Sequence, residues 1–184
     1  MSRRDWFLTF AILGLAAAIL LAMGRNPLCT CGTLTFWVGE RDSPKTSQML
    51  ADWYSLSHVV HGFLFYLILR LGARGWPVGR RFVAALLAEA AWEVTENTPW
   101  VIDRYRATTA ALGYTGDSII NSLSDMAMMA LGFFLARKLP LGPAILVVLA
   151  LEVIPLFTIR DNLTLNVWQL IAPSETLQAW QSMR

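Results

Sequence analysis

The sequence predicts an all-α fold, an integral membrane bundle of about five transmembrane helices with a short C-terminal interfacial helix. Three observations predict it. The 184 residues are 55% hydrophobic and only 15% charged, whereas a soluble domain carries roughly a quarter charged residues. Mean hydropathy is +0.48. Five apolar stretches are long enough, or nearly so, to cross a hydrocarbon core of about 30 Å. The length suits a single domain, so residues 1–184 are taken as one polytopic unit. A formal charge of +2 offers no basic stripe, which excludes nucleic acid as a partner. Two cysteines are too few for a disulfide scaffold. The partner these figures imply is the lipid bilayer.

The first span, 6–23, holds no charge and follows a short basic head, Arg3-Arg4. Its apolar run exceeds that of a signal peptide and no small-residue cleavage site follows, so it reads as a retained anchor. The further spans cover 54–72, 82–102, 118–136 and 141–157, the last with Pro155 near an irregular outer end. An outer loop, 24–53, mixes Gly, Pro and polar residues and reads as a lid or short hairpin. In the tail, 158–184, residues 162–171 are too short for a sixth span and Pro173 interrupts them. Ser174-Glu175-Thr176 starts a helix whose Leu177, Trp180 and Met183 share one face, as in a helix lying at the membrane surface.

Lys and Arg set the orientation. With the N-terminus cytoplasmic, Arg3, Arg4, Arg70, Arg74, Arg80, Arg81, Arg137 and Lys138 lie inside, against seven outside. The margin is narrow, but four arginines packed between residues 70 and 81 beside two helix ends decide it. The expected location is a bacterial inner membrane, multi-pass, with the C-terminus periplasmic.

Charged side chains inside a bilayer cost roughly 3 kcal/mol upward each, so each needs a partner or a purpose. The third span carries Glu89, Glu93 and Glu96, which spacings of four and three place on one helical face, flanked by Trp92 and Asn97. Pro99 removes a backbone donor and is expected to free the Thr95 carbonyl. On the fourth span Asp117, Asn121 and Asp125 repeat at intervals of four, with Asp117 placed as N-cap after the turn Gly113-Tyr114-Thr115-Gly116. The second span adds Ser57, His58 and His61. All these groups fall in the outer half of the bundle, beneath a loop bearing Arg104-Tyr105-Arg106 and beside Arg160-Asp161-Asn162. Glu152 in the fifth span implies a partner within the bundle.

Three readings stay open. In the first, an outward-facing polar cavity binds or handles an envelope lipid headgroup or small polar solute, with Arg104, Arg106, Arg160, Asp117, Asn121 and Asn97 as binding residues. In the second, a divalent metal such as zinc is held by some of His58, His61, Glu93, Glu96 and Asp125. Ser57, His61, Glu93, Glu96 and Asp125 are then the candidate catalytic groups of a hydrolase acting on a membrane-bound ester or amide. In the third, the chain is a scaffold or assembly factor whose polar network fixes helix register, with Arg104, Arg106 and Arg160 pairing with Asp117 and Glu96. Cys29 and Cys31, two apart, close a tight ring if bridged, and copper handling with Met126, Met128 and Met129 competes with simple packing.

The strings Ser57-His58-Val59-Val60-His61-Gly62-Phe63-Leu64-Phe65-Tyr66, Trp92-Glu93-Val94-Thr95-Glu96-Asn97, Arg104-Tyr105-Arg106 and Gly116-Asp117-Ser118-Ile119-Ile120-Asn121-Ser122-Leu123-Ser124-Asp125 resemble those of an uncharacterised bacterial inner-membrane family. Cys29-Thr30-Cys31-Gly32 and Arg160-Asp161-Asn162-Leu163-Thr164-Leu165-Asn166 extend the resemblance over nearly the whole chain. It implies a multi-pass plasma-membrane protein and no particular activity. The order of a His helix, a Glu helix and an Asp-x-x-x-Asn helix start is also similar to VanZ-like envelope proteins. Asp117 and Asn121 fit that pattern and Asp125 departs from it.

Overall fold

The computed structural model describes residues 1–109 and 113–183. Helix α1 (Arg3–Ala22) is followed by two short strands, β1 (Trp37–Val38) and β2 (Ala51–Asp52). Then come α2 (Ser55–Gly72), α3 (Val78–Glu96), α4 (Pro99–Thr108), α5 (Ile119–Lys138), α6 (Leu141–Ile159), α7 (Leu163–Ile171) and α8 (Glu175–Ser182). The all-helical expectation holds. Four helices, α1, α2, α5 and α6, are long and apolar enough to cross a membrane. The expected span over 82–102 differs. α3 matches the others in length at 19 residues, but Arg80, Arg81 and three glutamates deny it the apolarity of a lone span. It packs against α1, α2 and α5 and buries Glu89 and Glu93 there.

Pro99 explains where α3 stops. The helix ends at Asn97, and Thr98 starts α4 by accepting the Val101 N–H on its hydroxyl, with Pro99 at the first helical position where no N–H is needed. The Thr95 carbonyl is not freed, because the Thr98 N–H and hydroxyl both donate to it, at 3.0 and 2.6 Å. Arg104, Tyr105 and Arg106 consequently lie on a helix rather than a loop. Likewise α5 is capped by Ser118, whose hydroxyl accepts the Asn121 N–H at 3.3 Å, and not by Asp117. Pro155 is accommodated inside α6, which runs on to Ile159 and ends at Arg160 in left-handed conformation, φ 56°.

The tightest crossing is α2 on α5. A Cβ added at Gly62 would overlap the Met129 carbonyl, and one at Gly132 would overlap the Val59 carbonyl. Small residues at such crossings let helix backbones meet. Beside this crossing, on the half towards Tyr66 and Phe133, lies the apolar core. Phe133 meets Tyr66 and Phe82 edge-on at 5.3 and 5.5 Å, over the buried Met126, Met129 and Leu86. Met126 and Met129 therefore pack in the core rather than gathering at a metal site. Cys29 and Cys31 are joined as a disulfide with Cα atoms 5.2 Å apart.

The outer loop is tied down rather than free, and it does not form a hairpin: β1 and β2 pair in parallel. Its carbonyls serve the start of α5, where unpaired N–H groups need acceptors. Asn26 and Pro27 accept from Ile119 and Ile120 at 2.9 and 3.2 Å, Ser47 accepts from the Ser118 N–H at 2.9 Å, and Met49 accepts from the Asn121 side chain at 2.9 Å. Asp52 holds the loop's end by accepting the Ser47 and Tyr54 N–H groups at 2.7 and 2.8 Å.

The close crossing predicts a specific sensitivity. Gly132→Leu should lower the thermal stability of the detergent-solubilised protein by about 2 kcal/mol or more, the usual cost of overpacking. Gly14→Ala, at a position with open space, should leave it unchanged or raised.

Candidate functional site

At the polar end of the bundle, α2, α3 and α5 enclose a cavity of about 910 Å³. Ser57, His58 and His61 reach it from α2, Glu96 from α3, and Asp125 from α5, with Asp117 from the turn before α5. The helical spacings read from the sequence produce this convergence, because each helix turns one polar face to the same place. Glu93 and Glu89 sit just behind, 1% and 0% exposed.

Glu89 is the centre of the arrangement. Its carboxylate bonds His58 Nδ1 at 2.5 Å and His61 Nδ1 at 3.1 Å. His58 Nδ1 also lies 3.4 Å from Glu93, and its Nε2 lies 3.9 Å from Asp125. The candidate ligands expected from the sequence thus divide into overlapping trios with atoms within 4.8 Å of one another: His58, His61 and Glu89; His58, Glu93 and Asp125; Glu93, Glu96 and Asp117. His61 belongs with Glu89, not with Glu93, Glu96 and Asp125. Ser57 lines the wall without a hydrogen bond to either histidine among the described residues.

Asn97 and Asp117 clasp each other. The Asn97 amide donates to the Asp117 carboxylate at 2.7 Å, and the Asp117 N–H donates back to the Asn97 carbonyl at 2.7 Å. Tyr114 donates a further bond to Asp117 at 2.9 Å. Burial nonetheless pushes the Asp117 carboxyl above its ordinary range. Burial and the neighbouring acids push the Tyr105 and Tyr114 hydroxyls well above theirs. Gly116 is required beside this clasp: its φ is +90°, and a Cβ would press on Arg25 and Asn97. Asn97 and Asn121 therefore act as braces, one for Asp117 and one for the outer loop, and neither faces the cavity.

The arginines expected over the acids point elsewhere. Arg104 donates to the Leu170 carbonyl at 3.0 Å, Arg106 to the Tyr114 carbonyl at 2.5 Å, and Arg160 to the Trp180 carbonyl at 3.2 Å. Each satisfies backbone oxygen that a helix end or turn leaves unpaired. The arginine that does line the cavity is Arg41 of the outer loop, which pairs with Asp42 at 3.1 Å and bonds the Ile159 and Gln181 carbonyls. Sequence reasoning passed over it because nothing in a Gly- and Pro-containing loop shows which way a side chain turns.

The roof was also missed. Asp161, fully buried, accepts from Asn162 N–H and the Gln181 side chain, each at 3.0 Å, and from the Tyr54 hydroxyl at 3.3 Å. It locks α8 to the head of α2, so α8 packs by its polar face and leaves Trp180 towards the outside. The partner of Glu152 is the start of α7, where its carboxylate takes the Leu163 and Thr164 N–H groups at 3.2 and 3.1 Å, a favourable place for negative charge.

Four membrane-length apolar helices, two of which line an acidic, histidine-containing cavity, define a helical membrane-type protein with a polar pocket. The chain belongs to the DUF2585 family, described as a protein of unknown function, whose model matches residues 20–183. It is 45% identical over 187 residues to a UPF0314 protein of Sphingopyxis alaskensis, spanning 99% of this chain and 97% of that one. It is 46% identical to one of Paracoccus denitrificans, over 96% and 92%, and 47% identical to one of Agrobacterium fabrum, over 96% and 90%. No solved structure matches. The resemblance drawn from the motifs is thus to the family the chain belongs to.

Asp161 makes the roof pH-dependent. Burial raises its carboxyl from the ordinary 3.8 to about 6, so the folded protein favours the protonated form. That stabilisation is complete below pH 3.8 and is lost as pH rises through 6, a change of order 3 kcal/mol. The thermal midpoint should therefore fall between pH 4 and pH 7, and Asp161→Asn, neutral throughout, should flatten that slope.

Proposed function

We propose that this protein binds or handles an envelope lipid headgroup or a small polar solute in the cavity between α2, α3 and α5. The observation that carries the reading is the union of two surfaces in one space. The lining presents the acidic group Asp117, Asp125 and Glu96 with both histidines, and an apolar wall of Phe65, Ala88, Ala91 and Trp92 with Val167 and Leu170 of α7. Ala88, Ala91 and Thr95 lie on an exposed strip of α3, which leaves the wall accessible from the side. A headgroup rich in hydroxyls or amines matches the acidic end, while acyl chain matches the wall. Arg104 and Arg106 each donate to a backbone carbonyl and neither lines the cavity, so this reading does not call on them.

The same reading places the protein in a bacterial inner membrane, multi-pass, with its N-terminus cytoplasmic and the cavity and C-terminus periplasmic. Arginines 70, 74, 80 and 81 cluster at the opposite end from the acids and support that orientation.

Two outcomes follow. Native mass spectrometry of protein released from nanodiscs of its own membrane should show one retained lipid or solute, at least tenfold depleted by Ala91→Trp, which fills the side wall at an exposed position. Undiminished retention in that variant, or none in the wild type, counts against the reading. An alkaline phosphatase fused behind residue 183 should be active, and a fluorescent protein requiring cytoplasmic folding should be dark there.

A further inference from the structure

Around His58 the polar end holds more negative charge than its own side chains answer. Glu89, Glu93 and Asp125 are 0%, 1% and 5% exposed, and among the described residues no lysine or arginine lies within ion-pair distance of any of them. Glu89 is satisfied by the two histidines. Glu93 is not: neither of its carboxylate oxygens has a hydrogen-bond partner, and the same is true of Asp125 Oδ1. Burying an isolated carboxylate, charged or neutral, without a partner is costly, and buried charges are paired or coordinate metals.

His58 is prepared for the second of these. Its Nδ1 is engaged by Glu89 at 2.5 Å, which fixes the ring and leaves Nε2 as the free nitrogen. That nitrogen faces Asp125 at 3.9 Å, a gap that two bonds of about 2.1 Å each can span. A histidine whose other nitrogen is held by a carboxylate is the usual outer partner arrangement of metal sites. His58, Glu93 and Asp125 bring one ligand atom each within 4.8 Å of one another. His58 and Asp125 line the cavity, so a further coordination position opens into it.

We propose that His58, Glu93 and Asp125 form a site for one divalent transition-metal ion of the zinc class, with Glu89 as the positioning carboxylate behind His58. One imidazole and two carboxylates suit such an ion, and two negative charges with a neutral histidine balance its two positive ones. The trio around Glu93, Glu96 and Asp117 lacks a nitrogen, and the trio around Glu89 uses oxygens already bonded to both histidines; neither offers this combination. The site does not depend on what the cavity binds, and its test needs no lipid, so the two proposals fail separately.

The full-length protein, purified without chelators and reloaded with zinc alone, should carry close to one zinc per chain by elemental analysis. Glu93→Gln and Asp125→Asn should each weaken zinc binding at least a hundredfold, and Glu89→Gln by ten- to a hundredfold. The exposed surface variant Asp103→Asn should retain the ion. Should the buried variants fail to fold, X-ray absorption on the wild type decides, since one imidazole nitrogen and carboxylate oxygens at about 2.0–2.2 Å are required. Protein that stays metal-free at micromolar zinc, zinc retained in both Glu93→Gln and Asp125→Asn, or a first shell without imidazole overturns the proposal.

Discussion

Glu89 sits between two imidazoles at a depth where water cannot reach it, and most of the polar architecture follows from holding it there. A carboxylate taken out of water costs several kcal/mol unless its oxygens are bonded. Here both oxygens are bonded, by His58 and His61 one helical turn apart on α2. That geometry demands that α2 and α3 lie close and in one register. The register is secured on the other side by Gly62 and Gly132, which let α2 and α5 meet backbone to backbone. The contact then brings Asp125 opposite His58. A polar cluster and a glycine crossing, separate in sequence, thus constrain the same three helices.

The roof over the cavity is made by satisfying backbone groups that helix ends leave unpaired. Outer-loop carbonyls receive the first N–H groups of α5, and Glu152 receives those of α7. At the opposite polarity arginines collect the orphan carbonyls. Arg41 takes that of Ile159 at the end of α6, Arg104 that of Leu170 near the end of α7, and Arg160 that of Trp180 in α8. Positive charge near a helix C-terminus is favourable in itself. These arginines bond backbone oxygens, and none of them pairs with Glu96, Asp117 or Asp125 among the described residues.

Much of the site was legible because helical periodicity is local. Spacings of three and four on α2, α3 and α5 identified the faces carrying His58, His61, Glu93, Glu96, Asp117 and Asp125, and these side chains do converge. Two features within that reading shifted by a residue or a turn. Ser118 rather than Asp117 caps α5, and Pro99 starts a new helix instead of bending an old one. Both are choices between neighbouring donors and acceptors of similar quality, made by what packs alongside: Asn97 claims Asp117, and Thr98 claims Thr95.

The amino-acid sequence alone determined the helical class, the membrane-length apolar segments and the polar faces, since each is set by side chains within a few turns of one another. Only the tertiary structure decided that Glu89 pairs with both histidines, that Arg41 rather than Arg104 or Arg106 reaches the cavity, and that Asp161 ties α8 over it. A long side chain bonds whichever unpaired oxygen lies within its reach, and that depends on how helix ends distant in sequence are brought together.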